Sequence, residues 1–97
     1  AEACRLIREG AYSVTESALS SGIAIGYDEA AIRDRVLLLS PSDFYKTMCS
    51  ESFARRSQDV YQPSIDGLHL YVKLQIVARK SGGKRTVVIS FKENDKP

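Results

Sequence analysis

The segments Leu68-His-Leu-Tyr-Val-Lys-Leu-Gln-Ile76, Lys80-Ser-Gly-Gly-Lys84 and Thr86-Val-Val-Ile-Ser-Phe-Lys92 decide the fold. In the first, Leu68, Leu70, Val72, Leu74 and Ile76 alternate with His69, Tyr71, Lys73 and Gln75. Period two is the signature of a half-buried strand. The glycine pair is turn material. Beyond it Val87, Ile89 and Phe91 alternate with Thr86, Val88, Ser90 and Lys92. The stretch from Leu68 to Lys92 therefore reads as a β-hairpin with one apolar and one polar face.

Register follows from arithmetic, because opposed residues in an antiparallel pair have a constant sum. A sum of 163 pairs Ile76 with Val87, Leu74 with Ile89 and Val72 with Phe91. A sum of 164 sets apolar against polar throughout and is excluded by burial cost. A sum of 165 keeps the faces but opposes Lys73 to Lys92, a like-charge pair. The 163 register is preferred, and it sets Tyr71 opposite Lys92 with Lys73 and Ser90 beside them.

Upstream the pattern is helical. Ala3, Leu6 and Ile7 recur at helical spacing, and Gly10 is a stop. Ser13 and Glu16 form a possible capping box for a second helix running to about Ser20. Asp28 caps a third through Ala30, Ala31 and Ile32. Val36 to Leu39 is apolar on every side and is expected to be deeply buried, closing that helix or forming a short strand. Ser40-Pro41-Ser42-Asp43 reads as a strong helix start, for a helix carrying Phe44, Tyr45, Lys46 and Met48, with Phe44 and Met48 toward the core. Ser50 to Gln58 reads as a loop. Asp59 to Gln62 starts a strand that Pro63 ends or confines to an edge. The chain is thus α+β: N-terminal helices packed on a C-terminal antiparallel sheet, one domain over residues 1–97.

Composition supports a folded chain. Of 97 residues, 43% are hydrophobic, enough for one modest core. No apolar run approaches the roughly 18–20 residues that span a bilayer, and no stretch pairs a basic start with an apolar core as a secretory signal does. Net charge is +2, too weak to imply nucleic acid alone. Its distribution is uneven: between Arg55 and Lys92 eight basic residues face two acids, Asp59 and Asp66. Cys4 and Cys49 fit neither a disulfide framework nor a metal motif, and read as thiols of a reducing cytoplasm. No metal site and no cofactor is expected.

A face with a tyrosine, two lysines and a serine suits an anion. Cleaving an RNA phosphodiester requires removing the 2′-hydroxyl proton, stabilising a five-coordinate phosphorane, and protonating the leaving 5′-oxygen. Lysine does the second. A tyrosine does the first or third where ammonium neighbours favour its ionised form. His69 shares the parity of Tyr71 and belongs to the residue type that titrates near neutral pH. Tyr45 and Tyr61 read as packing residues.

Three further strings sharpen this. Ser42-Asp-Phe-Tyr-Lys46 with Thr47 and Met48, Gln58-Asp-Val-Tyr61 with Pro63, and Tyr71-x-Lys73 with a closing Ser90-Phe-Lys92-Glu93 together resemble the MqsR family of bacterial toxins. The resemblance covers almost the whole chain, with its motifs in residues 40 to 93. It implies a RelE-like α+β fold and a ribosome-independent endoribonuclease that cuts messenger RNA. It also implies a cognate MqsA-like antitoxin with zinc-binding and DNA-binding domains. It puts activity on Lys46, Gln58, Tyr71 and Lys92, and leaves Lys73, Lys84 and Arg85 as electrostatic support for RNA. Two features depart from the family pattern. Ser57 replaces an often aromatic residue before Gln58, and the turn from Arg79 to Arg85 is longer and more basic. The alternative function is a non-catalytic RNA- or protein-binding module, with the same basic face but no cleavage. No membrane association is expected.

Overall fold

The computed structural model describes residues 2–49, 57–65 and 67–94. Helix α1 runs Glu2–Arg8 and ends before Gly10, as its spacing predicts. Strand β1, Tyr12–Val14, follows. Helix α2 spans Glu16–Ala24 and α3 spans Glu29–Val36. After a 3-10 turn at Pro41–Asp43 come β2 (Phe44–Cys49), β3 (Ser57–Tyr61), β4 (Ser64–Ile65), β5 (Leu68–Ala78) and β6 (Lys84–Glu93). The sheet is ordered β1-β6-β5-β3-β2, with β4 paired to the start of β5. Every described pairing is antiparallel except β1 with β6. This is the α+β architecture expected of a RelE-like toxin. Among the described residues no helix is long and apolar enough to cross a membrane.

The helices cover one face of the sheet. Ile7, Ala18, Ile32 and Val36 meet Leu70, Val72, Leu74, Val88 and Phe91 in one buried cluster, each large aliphatic or aromatic member contributing on the order of 1.5–3 kcal/mol. Tyr27 closes over Phe91 with ring centroids 5.2 Å apart. At Gly22 a Cβ would lie 2.6 Å from Ile32 Cδ1, so glycine permits the close approach of α2 to α3. Asp28 caps α3 as expected, accepting from the Ala31 amide at 2.8 Å.

The hairpin follows the 163 register only at its open end. Leu70–Glu93, Tyr71–Lys92, Val72–Phe91 and Lys73–Ser90 are partners. Beyond Lys73 the sum falls to 162: Leu74 pairs with Val88, Gln75 with Val87 and Ile76 with Thr86. Ile89 is therefore a bulge residue, and parity inverts past it. Val88 and Thr86 are fully buried, while Val87 and Ile89 are only half-buried, the reverse of the period-two expectation. Thr15 explains why the bulge is tolerated. Its hydroxyl donates to the Ile89 carbonyl at 3.0 Å and accepts from the Ala18 amide at 3.1 Å, capping α2 while satisfying a carbonyl at the break in the ladder. The cap of α2 is thus Thr15 rather than Ser13. Ser13 lies in β1, where the edge of β6 takes its backbone opposite Val87. The hairpin turn is built on Gly82 and Gly83, both at positive φ (96° and 77°), which side chains with a Cβ rarely adopt.

Two other expectations are corrected. Ser40 and Asp43 do form a cap, the carboxylate accepting from the Ser40 amide at 2.9 Å, but it supports a single turn. Phe44 to Cys49 then extends as β2, because aromatic residues and Thr47 suit a strand and β3 offers a partner. Lys46 therefore rides on a strand, not a helix. A register shift between Phe44 and Lys46 puts Phe44 on the helix side, edge-on to Tyr61 at 5.6 Å, and Met48 on the opposite face. The run Val36 to Leu39 is only partly buried: Val36 closes α3 in the core, whereas Leu38 is 71% exposed. Pro63 ends β3, an inner strand between β2 and β5. The loop expected at Ser50 to Gln58 falls mostly outside the described residues, and its last two, Ser57 and Gln58, already belong to β3.

Candidate active site

Side chains of directly opposed residues share a sheet face, so the pairings can be read as rows across the side that the helices leave uncovered. One row is Lys46–Val60–Lys73–Ser90. A second is Met48–Gln58–Gln75–Val87. A third is Tyr71–Lys92, and a fourth is Ser64–His69. None of the described residues in these rows is acidic. Asp59 lies on the other face, accepting from the Thr47 hydroxyl at 2.9 Å.

Two cations converge on the third row. Two ammonium groups lie over the ring of Tyr71, Lys92 Nζ 5.3 Å and Lys73 Nζ 5.8 Å from its centroid. Cross-strand pairing supplies Lys92, and the i, i+2 spacing of β5 supplies Lys73. The phenol is half-buried and Lys92 exposed, so the ring is anchored while the positive charge faces solvent. That arrangement can receive a phosphate and has an O–H at hand for proton transfer.

Gln58 and Lys46 lie on the same face but not at the same point. Neighbouring strands are about 4.8 Å apart and residues rise about 3.3 Å along a strand. On that lattice Gln58 lies roughly 14 Å from Tyr71 and Lys46 roughly 12 Å from it, between Cα atoms. The expected residues thus form a strip longer than one phosphate. The Lys46 ammonium sits 5.3 Å from the ring of Tyr45, which is 56% exposed rather than packed. Tyr61, by contrast, is half-buried beside the core; that burial, and then the charge of Asp59, raise its pKa above the ordinary tyrosine value.

Gln75 is a residue of this face that the sequence did not single out. It is 8% exposed, and its Oε1 accepts from Gln58 Nε2 at 2.9 Å. Its parity with Tyr71 was visible in the sequence, but only the β3–β5 register brings Gln58 to it. Of the expected supporting cations, Lys73 joins the site and Arg85 occupies the same face farther along β6. Lys84 turns to the helix side, 3.7 Å from Glu2 of α1.

Comparison with known proteins places this geometry in context. The family described as motility quorum-sensing regulator, toxin of MqsA, matches residues 3–93. The mRNA interferase toxin MqsR of Escherichia coli (strain K12) is 32% identical over 89 residues, covering 92% of this chain and 85% of that protein.

Proposed function

Because the chain belongs to the motility quorum-sensing regulator family of toxins, we propose that the uncovered face of its sheet cuts messenger RNA, with Tyr71, Lys92, Gln58 and Lys46 as the working residues. The protein is an mRNA interferase, a toxin endoribonuclease of a type II toxin–antitoxin system. The observation that carries the assignment of the surface is the approach of both Lys73 and Lys92 to the Tyr71 ring, within about 6 Å of its centroid.

The chemistry follows from those groups. The 2′-oxygen attacks the adjacent phosphorus, the bond to the 5′-oxygen breaks, and the ends left are a 2′,3′-cyclic phosphate and a 5′-hydroxyl. Lys92 and Lys73 stabilise charge on the phosphorane oxygens, where pre-placed cations lower the barrier most. Tyr71 moves a proton at the attacking or the leaving oxygen. Gln58, held by Gln75, and Lys46 bind the RNA on one side of the scissile bond. Arg85, on the same face of β6, adds sequence-independent attraction for the backbone. None of these steps uses a metal ion or the ribosome. The partner is a cognate antitoxin; its MqsA-like character, with zinc-binding and DNA-binding parts, and a cytoplasmic site of action belong to the same proposal.

The test is to incubate purified protein, free of antitoxin, with single-stranded RNA and EDTA. Cleavage to 5′-hydroxyl products is expected. RNA that is bound but left intact would instead mark a non-catalytic binding module.

A further inference from the structure

The fourth row of the uncovered face is not used by this chemistry. His69 precedes Tyr71 by two residues on β5 and shares its face. Its Nδ1 is hydrogen-bonded to the Ser64 hydroxyl at 2.8 Å, across the β4–β5 pairing. The strand segment carrying Ser64 is itself fixed, since Pro63 is buried and its carbonyl accepts from the Leu70 amide at 2.9 Å. On the other side the Asn94 amide donates to the His69 carbonyl at 2.8 Å. An exposed imidazole is thus held at both its backbone and one ring nitrogen. With Nδ1 accepting from the serine hydroxyl, or with the ring protonated, Nε2 carries a hydrogen and donates.

Rows on this face repeat every two residues of strand, about 6.6 Å. A stacked nucleic-acid strand rises about 3.4 Å per nucleotide, and an unstacked one extends further. An RNA strand lying along β5 therefore advances on the order of one nucleotide per row. From Gln75 to His69 the face offers four such rows, with the Tyr71 row third.

We propose that Ser64 and His69 form a phosphate subsite for the nucleotide next to the one cut at Tyr71, on the side away from Gln58. Nε2–H of His69 donates to that phosphate, and Ser64 sets the ring's orientation. The subsite extends the RNA-cutting reading above and rests on it.

Binding of 2′-O-methyl RNA, which lacks the attacking hydroxyl, tests the subsite separately from cleavage. Affinity is measured by fluorescence anisotropy for oligomers of increasing length, and unmodified RNA is cut in parallel. His69→Ala should weaken long oligomers roughly three- to tenfold, the net worth of one solvent-exposed hydrogen bond, and leave the shortest binding oligomer unchanged. His69→Gln, whose amide reaches the position of Nε2, should keep most of the affinity, and Ser64→Ala should lose part of it. A His69→Ala effect that is absent, or equal at every length, overturns the subsite. If wild-type protein binds the oligomers but leaves unmodified RNA whole, the nuclease reading fails, and the length dependence still decides the subsite. Wild-type protein that binds no oligomer overturns both.

Discussion

Replacing Gln75 by Leu removes the acceptor that holds Gln58 while keeping a buried side chain of similar size in β5. The hydrogen bond is 2.9 Å long and Gln75 is 8% exposed. Such a bond contributes about 0.5–1.5 kcal/mol net, and an apolar replacement at a buried position recovers part of that. Unfolding should therefore shift by less than about 1.5 kcal/mol, at most roughly 10 °C in Tm for a domain of this size. Activity should respond differently. Freed of its partner, Gln58 regains side-chain rotamers worth up to about 2 kcal/mol, which must be lost again each time RNA is bound productively. At 1.36 kcal/mol per factor of ten, a cost of about 1–2 kcal/mol lowers the single-turnover cleavage rate roughly 5- to 30-fold. The decisive assay compares Gln75→Leu, Gln58→Ala and the double variant on one RNA substrate. If Gln75 acts through Gln58, the double variant cuts no more slowly than Gln58→Ala alone. Multiplying rate losses, or an unchanged rate in Gln75→Leu, would refute the reasoning.

Three other outcomes are expected. Tyr71→Phe and Lys92→Ala should each slow cleavage by roughly 10²–10⁴-fold if they serve as proton-transfer and phosphorane-stabilising groups; full activity in both variants, measured in EDTA, sinks the mechanism. Burial raises the Tyr61 pKa above its ordinary 10.0, so above about pH 10 the unfolded chain loses this proton before the folded one does, and stability falls as pH rises while being unaffected below that. Urea unfolding of Tyr61→Phe between about pH 9 and 11 should show a shallower alkaline decline, and an identical slope would remove Tyr61 as its source. Phe91 is fully buried at the centre of the sheet's covered face, so Phe91→Ala should cost about 3–5 kcal/mol, much of a small domain's stability; a loss below about 1 kcal/mol by denaturant titration would show that the core is not centred there.

Local chemistry made part of this protein legible in its sequence. The alternation from Leu68 to Ile76 defined β5, and the like-charge cost of Lys73 against Lys92 selected the register that opposes Tyr71 to Lys92, as observed. Asp28 announced α3, and the glycines after Lys80 announced the turn, because caps and positive-φ turns are set by a few adjacent residues. The strings around Lys46, Gln58, Tyr71 and Lys92 carried the family resemblance. Long-range packing decided the rest. Whether Phe44 to Cys49 would coil or extend depended on the β3 edge beside it, since a good cap nucleates one turn but does not outweigh a strand partner. The bulge at Ile89 depended on Thr15, more than 70 residues away in the chain, to satisfy its carbonyl. The row that gives Gln58 its partner Gln75 exists only where β3 lies against β5. Side-chain period and turn chemistry are written locally; which strands become neighbours, and so which functional groups share a row, is settled by the packing of the whole sheet against its helices.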